Sequence, residues 1–320
     1  MLGILADTSQ VATASVVRFE PSPGRVESIL ADFRAAFARG VLTGAEAARL
    51  RGRLQFCLSA AYGCVGRAAT LPLVQRQYRD TSASFDAGSE LHHSLLFFEA
   101  LLPHLPPLVV PLAFDSTPPL LVYSDAAFWL RKVPSADICS AGRRSRLAGG
   151  LGVVVYDPSD GSVRYALGEP AWHELLAFWS PDHKTYIAQL EVLAAISVYF
   201  TYPELFVGRR VNHFIDNTVA LSALVHGYSG RPDLAKMVNV FYLQIAGLRS
   251  SVYFDYVPSK ANIADLPSRA AVRELLYELR GFPLAAHART DLRVPHVGHW
   301  AAPLESWVLR FLHLNGTWPA

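Results

Sequence analysis

The spacing of hydrophobic positions changes character near residue 120. Before it, apolar residues recur at helical intervals. Val26, Ile29, Leu30, Phe33 and Phe37 fall at i, i+3, i+4, i+7 and i+11, one face of a helix that Gly40 ends. Thr43-Gly-Ala-Glu46 has the form of a capping box, and Leu50, Leu54, Cys57, Leu58 and Ala61 continue an apolar stripe behind it. A third helix is expected over residues 90–102. Residues 103–120 carry Pro103, Pro106, Pro107, Pro111, Pro118 and Pro119, which resist both helix and central strand, so this stretch reads as a linker.

Beyond the prolines, short apolar segments alternate with helical ones. A strand over 120–123 leads into Ser124-Asp125. Strands over 152–156 and 162–167 flank Asp157-Pro-Ser-Asp-Gly161, which is turn chemistry, and so form a hairpin. A helix over 186–200 follows, then a strand over 211–215 that runs into Asp216-Asn217. Helices over 218–225 and 234–248, a strand over 252–257 and the segment 262–269 complete the series. The order β-β-β-α-β-α-α-β-α predicts an α/β domain with a mixed sheet flanked by helices, preceded by a mainly helical domain. The expected organisation is a helical region over 1–102, a linker over 103–117, an α/β domain over 118–270 and a helical tail over 271–320.

Composition narrows the partners. Hydrophobic residues make up 51% of the 320, enough to fill two cores, and the formal net charge is only +2, so any nucleic-acid partner must be held by local patches. Residues 16–80 contain ten arginines against five acidic residues, either solvated helix faces or a surface that follows a phosphate backbone. Three cysteines, with no CxxC pair, fit a reducing compartment and exclude a disulfide framework. No uncharged apolar run reaches 18 residues, so a soluble intracellular protein without a membrane span is expected. His287, His296, His299 and His313 show no metal-ligand spacing.

Four carboxylates stand in costly places. Asp125 ends an apolar strand, Asp216 closes His213-Phe214-Ile215, and Glu191 lies in a helix that is apolar nearly all round. An ionised carboxylate there costs several kcal/mol unless it is paired or binds a cation. Asp125, Asp216 and Asp265 also suit turns or helix caps when taken singly. Glu191 does not, because a carboxylate inside an apolar helix needs a specific partner. Two strand ends and two helices that converge on one sheet edge bring Asp125, Glu191, Asp216 and Asp265 within reach of shared ions. Hard oxygen donors select Mg²⁺, or Mn²⁺, over zinc. Two such ions, bridged by Asp125, suit phosphodiester hydrolysis.

The motifs Tyr123-Ser-Asp-Ala-Ala127, Ala188-Gln-Leu-Glu-Val-Leu-Ala194, Phe214-Ile-Asp-Asn-Thr-Val-Ala220 and Val257-Pro-Ser-Lys-Ala-Asn-Ile-Ala-Asp-Leu-Pro-Ser-Arg269 occur in this order. Together they resemble the ribonuclease H domain of retroelement reverse transcriptases, most of all the DIRS-like, tyrosine-recombinase class. The most specific part is Asn262, Ala264-Asp265 and Ser268-Arg269. The resemblance covers 118–270 well and extends more weakly to 1–102, which look like the end of a polymerase palm with thumb or connection helices. It implies a ribonuclease H-like fold with a mixed five-stranded sheet. It also implies a two-metal endonuclease that cuts the RNA strand of RNA–DNA hybrids through Asp125, Glu191, Asp216 and Asp265. The polymerase motif Tyr-x-Asp-Asp is absent, so the chain is expected not to polymerise, and to act beside the polymerase portion of the same polyprotein. No histidine precedes the last Asp in residues 258–264, so none is given the mobile-histidine role found in some ribonucleases H.

Two features bear on substrate contact. Asn217, beside Asp216, is a candidate for a 2′-hydroxyl contact, although Asn after a strand also serves as a turn residue. Arg143, Arg144 and Arg146 form a basic segment that is either a solvated loop or an arm on the hybrid backbone. The contrasting function is a catalytically silent or co-opted hybrid-binding module of the same fold. Exonucleases, resolvases and integrases share the chemistry, but the surroundings of Asp265 argue against them.

Overall fold

The computed structural model describes residues 3–113, 116–130, 147–179, 185–296 and Val308. In chain order the elements begin with β1 (Ile4–Asp7), α1 (Val11–Ala14), β2 (Val16–Pro21), α2 (Pro23–Arg39), α3 (Gly44–Leu58), α4 (Leu71–Tyr78), α5 (Glu90–Leu101) and β3 (Leu108–Pro111). They continue with β4 (Leu120–Leu130), β5 (Leu147–Asp157), β6 (Ser162–Gly168), α6 (Trp172–Phe178), α7 (Ile187–Thr201), α8 (Pro203–Phe206), β7 (Arg210–Ile215) and α9 (Thr218–His226). The last are α10 (Pro232–Leu248), β8 (Ser251–Tyr256), α11 (Asp265–Ser268), α12 (Val272–Glu278) and β9 (Leu284–Asp291).

These elements form two compact units. The first comprises Met1–Ser116, His226–Arg249 and Gly298–Ala320, and the second Thr117–Val225 and Ser250–Val297. In the first unit, Ile29, Leu30, Phe33 and Ala36 of α2 are buried, and Gly40 closes the helix at φ 61°. The capping box at α3 forms: the Glu46 amide donates to Thr43 Oγ1, while Glu46 Oε2 accepts from the Thr43 amide. The start of the chain and the proline-rich stretch are more ordered than a helical region and a linker would be. β1, β2 and β3 make an antiparallel sheet in which Phe19 pairs with Leu108 and Val17 with Val110. Pairing between segments some ninety residues apart leaves no local periodicity to read.

Four of the ten arginines between residues 16 and 80 form ion pairs within this unit. Arg34 pairs with Glu27 at 3.0 Å, Arg39 with Glu46 at 2.9 Å, Arg76 with Asp80 at 3.2 Å, and Arg53 with Asp32. Arg25 lies over the Phe56 ring. The pairs of Arg34 and Arg39 lie on solvated helix faces, where each is worth little in stability, whereas Arg76 is buried and also donates to the Ser84 carbonyl at 3.0 Å.

The second unit is built on a mixed sheet in the order β8-β7-β4-β5-β6-β9. β5 runs antiparallel to both of its neighbours, β4 and β6, and β4, β7 and β8 are parallel. This is the expected α/β arrangement of a mixed sheet flanked by helices, with two corrections in the sheet. The sheet has six strands, because β9 pairs parallel to β6, so the segment after residue 271 is α12 followed by a strand and not a wholly helical tail. Leu-Ala-Ala-His-Ala-Arg-Thr-Asp has almost no β-branched content, and pairing with β6, not propensity, makes it a strand. Second, β4 does not end before Asp125. It runs on to Leu130, paired with β5, and places Asp125 opposite Gly152 in mid-strand.

α7 is buried along nearly its whole length, in keeping with its all-round apolar sequence, and packs on β4 and β5. Full burial of its Leu and Val side chains contributes about 1.5–3 kcal/mol each, which fixes the helix and with it Glu191. On the opposite face of the sheet, Leu275 of α12 and Leu279 just after it pack with Val154, Val163 and Tyr165. Among the described residues no helix is long and apolar enough to cross a membrane.

Candidate active site

Three of the four carboxylates singled out by sequence converge. Asp125 from β4, Glu191 from α7 and Asp216 after β7 each offer an oxygen within 4.8 Å of the other two. Asp125 is 4% exposed and Glu191 2%, whereas Asp216 is half-buried, so the group opens to solvent on the Asp216 side. Asp265, at the start of α11, stays outside this group and pairs with Arg269 at 2.7 Å.

Each buried carboxylate has a reason for its position. Glu191 Oε1 accepts from the Ala126 amide at 3.3 Å, while Oε2 has no hydrogen-bond partner. Burial, then the negative charges of Asp125 and Asp216, push the Glu191 carboxyl well above the ordinary range. Burial likewise pushes Asp125 up to about 6. The Ser268 hydroxyl, which donates to Asp125 Oδ2 at 2.5 Å, opposes the shift, and Asp216 and Asp265 add to it. Three converging carboxylates, one with an unsatisfied buried oxygen, could hold a divalent cation. A cation would supply the missing partner and restore the charged forms.

The Asn262–Arg269 segment holds the site from behind. Asn262 is buried and its Nδ2 donates to the Ser124 carbonyl at 3.0 Å, while its Oδ1 accepts from the Ala264 amide. Together with the Ser268–Asp125 bond, this ties the segment to two consecutive residues of β4. The approach is close enough to require glycine on β5. A Cβ on Gly150 would lie 1.9 Å from the Ser268 carbonyl oxygen, and one on Gly152 2.2 Å from the Ser268 amide nitrogen.

A second set of bonds lies under the site. His213 of β7 is fully buried and hydrogen-bonds Tyr199 of α7 at 3.1 Å and Ser124 at 2.9 Å. Burial lowers its pKa to about 3, so the imidazole is neutral and joins α7, β7 and β4 just before Asp125. Sequence reasoning did not single out Gly150, Gly152, Ser124 or His213. The only signal was a glycine-rich strand and a histidine at an inward-facing strand position.

Of the substrate-contact candidates, Asn217 is an N-terminal cap: its Oδ1 accepts from the Val219 and Ala220 amides at 3.1 and 3.0 Å. Arg143, Arg144 and Arg146 lie outside the described residues.

No family model and no curated protein matches the chain. Among solved structures it is similar to the N-terminal RNase H domain of Rv2228c from Mycobacterium tuberculosis, solved as a fusion with maltose binding protein. That likeness has 15% identity and a TM-score of 0.34, and covers 50% of this chain and 96% of that one. It is also similar to RNase H1 from the halophilic archaeon Halobacterium salinarum, with 15% identity and a TM-score of 0.33, covering 48% of this chain and 98% of that one. The chemistry rests on this chain's own residues.

Proposed function

We propose that the second unit is a divalent-metal-dependent endonuclease that hydrolyses the RNA strand of RNA–DNA hybrids. The observation that carries this reading is the convergence of Asp125, Glu191 and Asp216, with Glu191 Oε2 unsatisfied in the interior. Asp125, Glu191 and Asp216 would hold the cation, with Asp216 the most exposed of the three. Mg²⁺ fits the all-oxygen donor set, and Mn²⁺ can replace it. Lewis-acid stabilisation of charge on the scissile phosphate is the chemistry such ions supply when bound. A second ion would draw on Asp265.

The chain's own residues position and orient. Ser268 and Asn262 fix Asp125, the Ala126 amide fixes Glu191, and the Asn217 cap fixes the turn that carries Asp216. The Nδ2 group of Asn217 is the part of that side chain that a ribose 2′-hydroxyl would meet. The resemblance of the motifs supports reading this nuclease as part of a retroelement reverse transcriptase of the DIRS-like class, with the polymerase portion of the same polyprotein as its partner. The contrasting reading is a silent hybrid-binding module, which an intact acidic set speaks against. Incubation of the chain with labelled hybrid, duplex RNA and duplex DNA, with Mg²⁺ or chelator, separates these. Cleavage of the hybrid's RNA strand alone, lost with chelator, is expected. Hybrid binding without cleavage would favour the silent module.

A further inference from the structure

Arg269 sits where a fourth carboxylate and a substrate phosphate would compete for it. Its guanidinium Nε donates to Asp265 Oδ1 at 2.7 Å, one turn back on α11, yet its side chain is 63% exposed. The preceding residue, Ser268, is buried and bonded to Asp125, so the Arg269 backbone is anchored at the site while its side chain is not. Asp265 meanwhile is absent from the three-carboxylate group. The charges of Asp265, Asp125 and Asp216 all act on Arg269 in the same favourable sense. Arginine in such a place is both counter-ion and fork-shaped phosphate ligand.

We infer that Arg269 exchanges partners: it holds Asp265 in reserve in the free protein and moves to a phosphate of the bound strand, which releases Asp265 to the metal site. The inference rests on the nuclease reading above. An exposed ion pair is worth little in water, so the exchange is cheap in either direction. Phosphate and cation then promote each other's binding, because each removes one partner of the pair.

A double-mutant cycle on the full chain tests this, using Arg269→Gln, Asp265→Asn and the pair. The first arm titrates Mn²⁺ calorimetrically without nucleic acid. Arg269→Gln should raise Mn²⁺ affinity about two- to fivefold when Asp265 is present, the scale of an exposed ion pair, and have no such effect in the Asp265→Asn background. The second arm measures hybrid binding in chelator, where Arg269→Gln should cost more affinity in the Asp265→Asn background, with Arg269 already released. Equal effects in both backgrounds would show only the field of a charge and overturn the exchange. Lower Mn²⁺ affinity in Arg269→Gln would make Arg269 a support of the site and overturn it too. Failure of the wild-type chain to take up Mn²⁺ would instead count against the metal site itself.

Discussion

The Ser268 hydroxyl donates to Asp125 Oδ2 at 2.5 Å, joining residues 143 positions apart in the chain. That bond places the end of the last motif directly behind the first carboxylate. It exists only because β5 offers no side chain at Gly150 and Gly152 where α11 crosses it.

Those glycines are therefore expected to be intolerant. In Gly150→Ala or Gly152→Ala the new methyl group meets backbone atoms of Ser268, which cannot swing aside as a side chain tip would. Each variant should lose about 1–3 kcal/mol of unfolding free energy, the usual cost of overpacking. Urea denaturation reads this directly, and wild-type midpoints in both would contradict the close approach.

Glu191 is expected to cost stability when no cation is present. Burial holds the Glu191 carboxyl far above its ordinary range, so near neutral pH the metal-free chain must take up a proton there on folding. Glu191→Gln removes that cost at nearly constant volume, and in chelator the variant should unfold at a higher temperature than the wild type. With Mg²⁺ in excess the order should narrow or reverse, because only the carboxylate gains from the ion. Equal melting temperatures in chelator at neutral pH would contradict a cost of burying this carboxyl.

The pH dependence of the metal-free chain contains two opposing contributions. Asp125 has its folded pKa raised to about 6 from 3.8, so the folded state binds the extra proton. Stability from this group rises as pH falls through about 6 and levels off below 3.8. His213 has its folded pKa lowered to about 3 from 6.5, so the unfolded state takes up the proton first. Stability from this group is fully present above 6.5 and is lost as pH falls toward 3. Asp125→Asn should steepen the acid-side loss between pH 6 and 4, and His213→Asn should flatten it. Unfolding free energies across that range, compared with wild type, check both signs.

The carboxylates were legible before the structure because their chemistry is local: an acid in an apolar strand or helix is anomalous wherever it occurs. The helical stripe ending at Gly40, the capping box at Thr43 and the hairpin around Asp157–Gly161 were legible for the same reason. What escaped was set by contacts between distant segments. β3 forms among prolines because β2 pairs with it, β9 forms with weak propensity because β6 pairs with it, and Gly150 and Gly152 matter only once α11 lies on β5. Asp265 shows the limit for the site. Its motif identified it with the others, yet its present partner is Arg269, four residues on and just past the end of its helix.

The central claim is that Asp125, Glu191 and Asp216 form a metal-dependent nuclease centre. The most direct test is a side-by-side cleavage assay of the wild type and Asp216→Asn on an RNA–DNA hybrid labelled on its RNA strand, in Mg²⁺. Both proteins should give the same thermal unfolding curve in chelator to within a few degrees, since Asp216 is half-buried and its substitution leaves the core intact. The wild type should cut the RNA strand, and Asp216→Asn should lose at least about a hundredfold in rate, the scale on which removal of a directly acting group is felt. Cleavage by Asp216→Asn at the wild-type rate, or cleavage by the wild type in chelator, would contradict the account.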